Sequence, residues 1–188
     1  MDSTLTPSQK WAPYAYSAGT QLGIDPAFVL AQWLYETGNG TNLGSKKYNN
    51  LAGIKSSPNA SKGIFDPSDS IHAGYTNLSA FTQDYVKVMN LSYYRDFLKT
   101  ARSSSDPKTL LKAMNASPWA EADYNTSGFM KYYNEAAKVM GSKSYSGIDL
   151  GSIGGDLLDN VNADSLLSIL KDKWWMIAAG LVIIAILK

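Results

Sequence analysis

Apolar residues recur three or four positions apart along much of this 188-residue chain, the spacing that places side chains on one face of an α-helix. A capping side chain followed directly by a proline is typical of a helix start. The chain contains three such pairs, Thr6-Pro7, Asp25-Pro26 and Asp106-Pro107. Three more helices are predicted from Asn77, over Tyr94 to Arg102, and from Ser127 to Gly141. The pattern therefore predicts a mainly helical protein.

A chain of this length can bury one well-formed core. The residues predicted to face that core share the helical spacing. They are Trp11, Tyr14 and Ala18; Leu78, Phe81, Tyr85, Val88 and Met89; Leu110, Leu111 and Met114; and Met130, Tyr133, Ala137 and Met140.

The second predicted helix differs from the others because apolar residues surround it on nearly all sides. It begins at Pro26 and carries Glu36 in its last turn. A helix that is apolar all round is buried, and burial disfavours the carboxylate form of Glu36, as does the negative end of the helix dipole. Both effects raise the pKa of Glu36, which suits a general acid. A solvated glutamate at a frayed helix end is the alternative, and the residues alone do not decide between the two.

Residues 38–75 are rich in Gly, Asn, Ser and Pro, which favours loops and turns. Two short apolar stretches interrupt them, around Leu51–Ile54 and Lys62–Phe65. We therefore predict a small β lobe of two strands in this region, after the helix that ends in Glu36.

Composition excludes several classes of site. The chain has no cysteine and a single histidine, His72, so neither a Cys-ligated zinc nor a two-histidine metal motif is available. No Gly-x-Ser-x-Gly elbow accompanies that histidine. The net charge of +1 provides no field that would attract nucleic acid. We therefore expect no nucleic-acid partner, no metal and no organic cofactor, and we expect carboxylates to supply acid and base.

The sequence divides into three parts. Residues 1–141 carry the predicted helices, residues 142–164 shift to Ser, Gly and Asp as a linker does, and residues 165–188 contain an unbroken apolar run over 174–187. This run of 14 residues would rise about 21 Å as a helix, against about 30 Å of bilayer hydrocarbon. Two tryptophans beside a lysine at its start are typical of a membrane interface. We expect a membrane-associated C-terminal hydrophobic helix; the alternative is a helix packed on another subunit.

The stretch AQWLYETGNGTNLGSKKYNNLAGIK resembles the signature of the glucosaminidase family of peptidoglycan hydrolases. That family ends a helix in a catalytic glutamate and continues with Gly-x-Gly and then Asn-Asn-Leu-x-Gly-Ile-Lys. Here the pattern falls on Glu36, Gly38, Gly40 and residues 49–55, in matching order and spacing. With weaker similarity elsewhere, the resemblance covers about residues 8–141. It implies a lysozyme-like, mainly α (α+β) fold with a small β lobe beside the cleft.

The same resemblance suggests the residues of the site. Glu36 is implied as the catalytic general acid. The stretches HAGYTNLSAFTQDYVKVM and SPWAEADYNTSGFMKYY are similar to later parts of the family pattern and contain aromatic candidates. The residues predicted to bind substrate are Asn49, Asn50, Tyr75, Trp119 and Tyr124. At least one of the two asparagines would hold the cleft backbone or a sugar amide; the alternative is that they are ordinary turn residues.

The chain departs from the family pattern at the second carboxylate. Many members place another glutamate in the β lobe, whereas residues 56–74 contain Asp66 and Asp69 as their acidic residues. Either aspartate would serve as the second catalytic carboxylate, with Asp69 ranked first, if the lobe closes far enough to activate a water. The alternatives are that both aspartates form turns, and that the N-acetyl group of the substrate itself assists the reaction.

These observations predict a peptidoglycan hydrolase, an endo-β-N-acetylglucosaminidase that acts on glycan strands of the bacterial wall. A muramidase or lytic transglycosylase, and a non-catalytic wall-binding or structural virion subunit, are the alternatives. The first residues lack the basic region and apolar core of a secretory signal. We therefore expect a phage-encoded protein that serves wall penetration or lysis, located in the virion with other virion proteins or on a membrane through residues 174–187. A holin-released lysin and a hydrolase of a conjugation apparatus are the alternatives.

Overall fold

The computed structural model describes residues 5–55, 64–66, 69–119 and 123–141. All of them belong to the first of the two units into which the chain divides, Met1–Leu150.

The described residues form seven α-helices, one short 3₁₀ helix and a two-stranded hairpin, so this part of the protein is mainly helical as the sequence predicts. In chain order the elements are α1 (Pro7–Leu22), α2 (Pro26–Glu36), α3 (Leu43–Lys47), β1 (Ile64–Asp66), β2 (Asp69–Gly74), α4 (Leu78–Met89), the 3₁₀ helix (Ser92–Tyr94), α5 (Arg95–Ser103), α6 (Pro107–Asn115) and α7 (Thr126–Gly141).

The predicted linker at 142–164 and the predicted hydrophobic helix at 165–188 lie outside the described residues. Of the helices named above, none combines the length and the apolarity that crossing a bilayer requires.

The predicted helix starts are confirmed where a capping side chain precedes a proline. Thr6 accepts from the backbone N–H of Gln9, whose side chain accepts in return from the N–H of Thr6, so both orphan donors are satisfied. Asp25 caps α2, and Asp106 caps α6 by accepting from the N–H of Thr109 at 2.9 Å. Local chemistry alone sets these boundaries, which explains why the sequence predicts them.

The last helix corrects the prediction in two ways. It begins at Thr126, before the predicted cap Ser127, and the side chain of Asn125 accepts from the N–H of Gly128 at 2.9 Å. Its fully buried residues are Phe129 and Ala136, one position before the predicted Met130 and Ala137. Three of the predicted residues are partly buried and pack against the core: Tyr133, Ala137 and Met140. The stacking of Phe129 on Tyr124, with ring planes 10° apart, rotates the inward face by about one residue.

The β lobe also differs from its prediction. The first predicted strand, Leu51–Ile54, is a loop whose apolar side chains are buried. The hairpin instead pairs β1 with β2, so that Phe65 lies opposite Ala73 and Asp66 opposite Asp69. The apolar run at 51–54 therefore reflects burial of a loop and does not form a strand. The short helix α3 was not predicted, because its five residues, LGSKK, carry no apolar stripe.

Helix α2 lies at the centre of the core, packed against both α1 and α7. Every residue from Ala27 to Leu34 is buried, as an all-round apolar helix requires. Trp33 packs edge-on against Phe81 and Tyr85 of α4, at 4.9 and 5.3 Å between ring centroids. Burial of a large side chain of this kind contributes about 2–3 kcal/mol. The helix that carries Glu36 is thus fixed from several sides.

Candidate active site

Glu36 is the last residue of α2, and a tight turn directly follows it. Thr37 closes the helix, because its hydroxyl donates to the carbonyl of Trp33 at 2.7 Å. Gly38, Asn39 and Gly40 then have φ values of 55°, 58° and 77°, the left-handed region that favours glycine and tolerates asparagine. The Gly-x-Gly of the sequence is therefore needed to reverse the chain immediately beyond the carboxyl group.

Gly40 is also required by close packing. A Cβ at this position would lie 3.0 Å from Cγ of Pro7 and 3.2 Å from Cη2 of Trp11. The turn after Glu36 therefore rests directly on the first helix. The side chain of Asn42 adds a further anchor by donating to the carbonyl of Glu36 at 3.2 Å.

The loop opposite this turn is built around Asn50, which is 4% exposed. Its amide nitrogen donates to the carbonyls of Ile54 and Ala73 at 2.9 and 2.8 Å, and its amide oxygen accepts from the N–H of Ile54 at 3.0 Å. Asn49, with φ of 52°, donates to the carbonyl of Tyr75 at 2.9 Å. Both asparagines therefore hold the backbone of the loop, which is one of the two roles predicted for them.

Gly53 brings this loop next to the carboxyl group of Glu36. Its φ of 61° is left-handed, and a Cβ built on it would lie 4.0 Å from Oε2 of Glu36. Because glycine has no side chain, the backbone approaches this oxygen without covering it.

The other carboxyl oxygen of Glu36 faces two aromatic donors. The hydroxyl of Tyr124 and the indole Nε1 of Trp119 both donate to Oε1, the latter at 3.3 Å. Among the described residues, the hydrogen bonds of this carboxyl group go to Oε1. When Glu36 is protonated with both donors in place, the proton therefore resides on Oε2, the oxygen on the Gly53 side.

The environment raises the pKa of Glu36 above its ordinary value. Burial is the largest cause, because it disfavours the charged form. The hydrogen bonds from Tyr124 and Trp119 act in the opposite direction, since they stabilise the carboxylate, but they are the smaller effects. The direction predicted from the apolar helix is therefore confirmed, and a raised pKa is what a general acid requires.

A pocket of about 280 Å³ adjoins the carboxyl group through Gly53 and Trp119. Lys55, Tyr93 and Tyr94 also line it. Tyr94 packs against Trp119 at 5.5 Å between ring centroids, and Tyr93 is 57% exposed. The pocket thus combines flat aromatic surface with a charged side chain, the kind of lining found where a polar ligand with apolar faces binds.

Of the other predicted site residues, two lie on the hairpin and one lies in the core. Asp66 and Asp69 are register partners at the end of the hairpin. Tyr75 is 5% exposed, and its hydroxyl donates to the buried Asp84 at 2.8 Å. The structure therefore brings Trp119 and Tyr124 to Glu36, whereas the side chain of Tyr75 is part of the core.

One polar residue near the site had no role assigned from the sequence. Gln32 is fully buried one helical turn before Glu36, and it contacts Tyr85 and Tyr124 through hydrogen bonds. The signal was present, because a glutamine in an otherwise apolar run requires hydrogen-bond partners. Across the ranges that the structure covers, no three His, Cys, Asp or Glu side chains gather where they could hold a metal ion.

Comparison with known families agrees with this geometry. The glucosaminidase family model, described as mannosyl-glycoprotein endo-β-N-acetylglucosaminidase, matches residues 12–147. No curated protein and no solved structure matches the chain. The matched range contains Glu36, the loop that holds Gly53, and both aromatic donors, and the family supports peptidoglycan as the substrate polymer. The chain therefore belongs to the glucosaminidase family and is a glycoside hydrolase that acts on an N-acetylglucosamine-containing polymer.

Proposed function

We propose that this protein is an endo-β-N-acetylglucosaminidase of bacterial peptidoglycan in which Glu36 is the general acid. The observation that carries the proposal is the state of this carboxyl group. Its pKa is raised by burial, its Oε1 is held by two donors, and its Oε2 lies on the side of Gly53, a residue that lines the adjoining pocket. A carboxyl group that is fixed in this way and holds its proton more tightly than usual is suited to protonating a leaving sugar oxygen.

The proposed first step transfers the Oε2 proton of Glu36 to the glycosidic oxygen. The bond between the anomeric carbon and that oxygen then breaks, and its electron pair stays on the departing sugar. The resulting oxocarbenium-like centre is captured by water or by the acetamido oxygen of the same sugar. Tyr124 and Trp119 stabilise the carboxylate that Glu36 becomes, because both donate to Oε1.

We propose two alternative mechanisms for the attack on the anomeric carbon, and only one of them uses a second carboxylate of the protein. Asp69 or Asp66 would remove a proton from the attacking water, and both lie on the hairpin of the β lobe. Where the acetamido oxygen attacks instead, no second protein carboxylate is needed at that step. Substrates in which the N-acetyl group is replaced by a free amine separate the two, since only the second mechanism requires the acetyl oxygen.

The pocket beside Glu36 is the proposed site for a sugar ring. Tyr93 and Trp119 offer apolar ring faces, and Lys55 offers a charge to an acidic substituent. Asn49 and Asn50 support this wall by fixing its backbone, and the amide hydrogens of Asn50 are both used by main-chain carbonyls. We assign Asn50 to positioning for that reason.

The decisive experiment is digestion of purified peptidoglycan by the full chain, by Glu36→Gln, and by the matched control Glu135→Gln on α7. We expect the control to match the wild type and Glu36→Gln to lose at least about a thousandfold in rate, because the amide cannot donate a proton as an acid does. Muropeptide release by Glu36→Gln at the wild-type rate would refute the role of Glu36.

The products identify the bond that is cut. Mass spectrometry after borohydride reduction distinguishes a new N-acetylglucosamine reducing end from the N-acetylmuramic acid end that a muramidase leaves and from the anhydro product of a lytic transglycosylase. A mannosyl-glycoprotein should be assayed in parallel, since the family description names that substrate. Cleavage of the glycoprotein alone would overturn the peptidoglycan assignment.

We further propose that the protein acts at a membrane or in a phage particle during wall penetration or lysis. The support is the sequence itself, in which a wall-hydrolase domain is joined to an apolar run over residues 174–187 with lysines on both sides. Flotation of the full chain with anionic vesicles, compared with a chain ending at residue 164, tests the membrane contact. Proteomics of purified particles tests the virion location.

A further inference from the structure

Gln32 links the site to a second buried tyrosine. It is 0% exposed and lies on α2 one turn before Glu36. Its Oε1 accepts from the hydroxyl of Tyr85 at 2.6 Å, and its Nε2 donates to the hydroxyl of Tyr124 at 3.4 Å. The Tyr124 hydroxyl in turn donates to Oε1 of Glu36. The side chains of Tyr85, Gln32 and Tyr124 thus form a series of hydrogen bonds in which each donates to the next, and the last donates to the carboxyl group of Glu36.

The direction of donation along this series of hydrogen bonds influences which carboxyl oxygen of Glu36 carries the proton. A hydroxyl has one proton, so the N–H that Gln32 offers leaves Tyr124 free to donate to Glu36, whereas a carbonyl oxygen in its place would compete for that proton. To the extent that a reversed amide of Gln32 drew the Tyr124 proton to itself, Glu36 would place its own proton on Oε1, toward Tyr124.

Tyr85 favours the first arrangement. Its hydroxyl is fully buried and lies 2.6 Å from the oxygen of Gln32, a distance typical of an O–H···O hydrogen bond and shorter than the N–H···O bond that a reversed amide would make to the same hydroxyl. The indole of Trp119 acts in the same sense, because its N–H can only donate and it faces Oε1 of Glu36.

We propose that Gln32 is a positioning residue that, oriented by Tyr85, makes Tyr124 donate to Oε1 of Glu36 and thereby keeps the transferable proton on Oε2. The inference rests on the proposed function of Glu36 as general acid. Gln32 is buried behind Tyr124, so its effect reaches the substrate through Glu36.

Removal of Gln32 should weaken donation by Tyr124, because hydrogen bonds in a chain polarise one another. Since that donation favours the carboxylate, its weakening raises the pKa of Glu36. The titratable groups that the described residues turn toward Glu36 are Tyr124 and Tyr85, while Lys55 lines the adjoining pocket. Burial, followed by the nearby Glu36, raises the pKa of both tyrosines above its ordinary range. The pH dependence therefore reports Glu36.

The test compares Gln32→Met, Tyr85→Phe and the control Leu34→Met, a buried position on the same helix. The chain has three glutamates, Glu36, Glu121 and Glu135. Titration by ¹³C NMR of carboxyl-labelled glutamate is therefore resolvable, and Glu36→Gln assigns the signal. It needs no substrate. The pH profiles of kcat and KM on soluble peptidoglycan fragments supply the second measurement.

We expect Gln32→Met to raise the pKa of Glu36 by about half a pH unit and to move the alkaline limb of kcat with it. We expect kcat at the optimum to fall about fivefold with KM unchanged, because part of the acid carries its proton on Oε1. Tyr85→Phe should act in the same direction by a smaller amount, and Leu34→Met should change neither quantity.

A Glu36 pKa that is the same in Gln32→Met, Leu34→Met and the wild type would overturn the proposal, even if kcat fell through general loosening. If Gln32→Met does not fold, an unchanged pKa in Tyr85→Phe overturns it alone. Failure of the proposed function is separate, since it appears as a wild-type protein without activity on peptidoglycan whatever the titration shows.

Discussion

The two walls around Glu36 are built by different means. On the inner wall, side chains of Tyr124 and Trp119 act directly on the carboxyl group, and their own positions depend on the aromatic core. On the outer wall, main chain approaches the carboxyl group at Gly53, and the side chain of Asn50 fixes that main chain from behind. The inner wall therefore sets the chemistry of the acid, whereas the outer wall sets the shape of the space in front of it.

Among these predictions, the largest loss of stability should come from Asn50→Ala, which removes the support of the outer wall. The change leaves the N–H of Ile54 and the carbonyl of Ala73 without the amide group that they contact, whereas the carbonyl of Ile54 keeps its hydrogen bond from the N–H of Ala73. Each buried group left unpaired costs about 1–3 kcal/mol, so we expect the free energy of unfolding to fall by about 3 kcal/mol. Urea denaturation measures the change, and muropeptide release measures activity.

Asn90→Ala is the matched control, because Asn90 is exposed and makes one side-chain hydrogen bond, to the carbonyl of Val86. It should cost well under about 1 kcal/mol. Equal losses of stability in the two variants would mean that Asn50 does not hold the loop in the way described.

On the inner wall, Tyr124→Phe should change the rate of the reaction and its pH dependence more than it changes the stability of the protein. Loss of the hydroxyl removes a hydrogen bond that favours the carboxylate, so the pKa of Glu36 should rise further. We expect kcat to fall about tenfold and the alkaline limb of the pH–rate profile to move to higher pH. Tyr132→Phe on α7 is the control, and a shift of the limb in both variants would contradict the assignment.

The smallest effect concerns stability against pH in Glu36→Gln. The pKa of Glu36 is raised in the folded protein, so the folded state holds this proton more tightly than the unfolded chain. The wild type therefore loses stability as pH rises above the ordinary value of 4.5 toward the raised one, and the glutamine variant does not. We expect thermal midpoints that coincide near pH 4, with Glu36→Gln the more stable at pH 7.

The reverse order, in which the wild type is more stable at pH 7, would mean that burial is not what raises this pKa. Calorimetry at both pH values, with Glu135→Gln beside it, makes the measurement specific to the position.

The sequence predicted best what depends on neighbours in the chain. Capping pairs at Thr6, Asp25 and Asp106 fixed three helix starts, and an all-apolar helix predicted the burial that raises the pKa of Glu36. The predicted strand at 51–54 was wrong because its apolar residues are buried as a loop, and that burial depends on Asn50 reaching β2, more than 20 residues away.

Contacts between distant parts of the chain were accessible only through resemblance to a family. Trp119 and Tyr124 are 83 and 88 residues from Glu36, and nothing in their local spacing indicates that they meet it. The fully buried residues of α7, Phe129 and Ala136, were missed for the same reason, since Phe129 stacks on Tyr124, which belongs to the site. Pattern indicates which residues are buried, and tertiary packing decides which atoms they touch.

The contact of Gly40 with Pro7 and Trp11 has a consequence for how the fold can be altered. A methyl group at this position would press on Pro7 and Trp11, whose side chains would have to give way by a few tenths of an ångström. The turn beside the reactive carboxyl group is therefore in direct contact with the first turns of α1, although about thirty residues of chain lie between them. Substitutions at Pro7 or Trp11 are accordingly a way to disturb the support of the acid without touching any residue of its pocket.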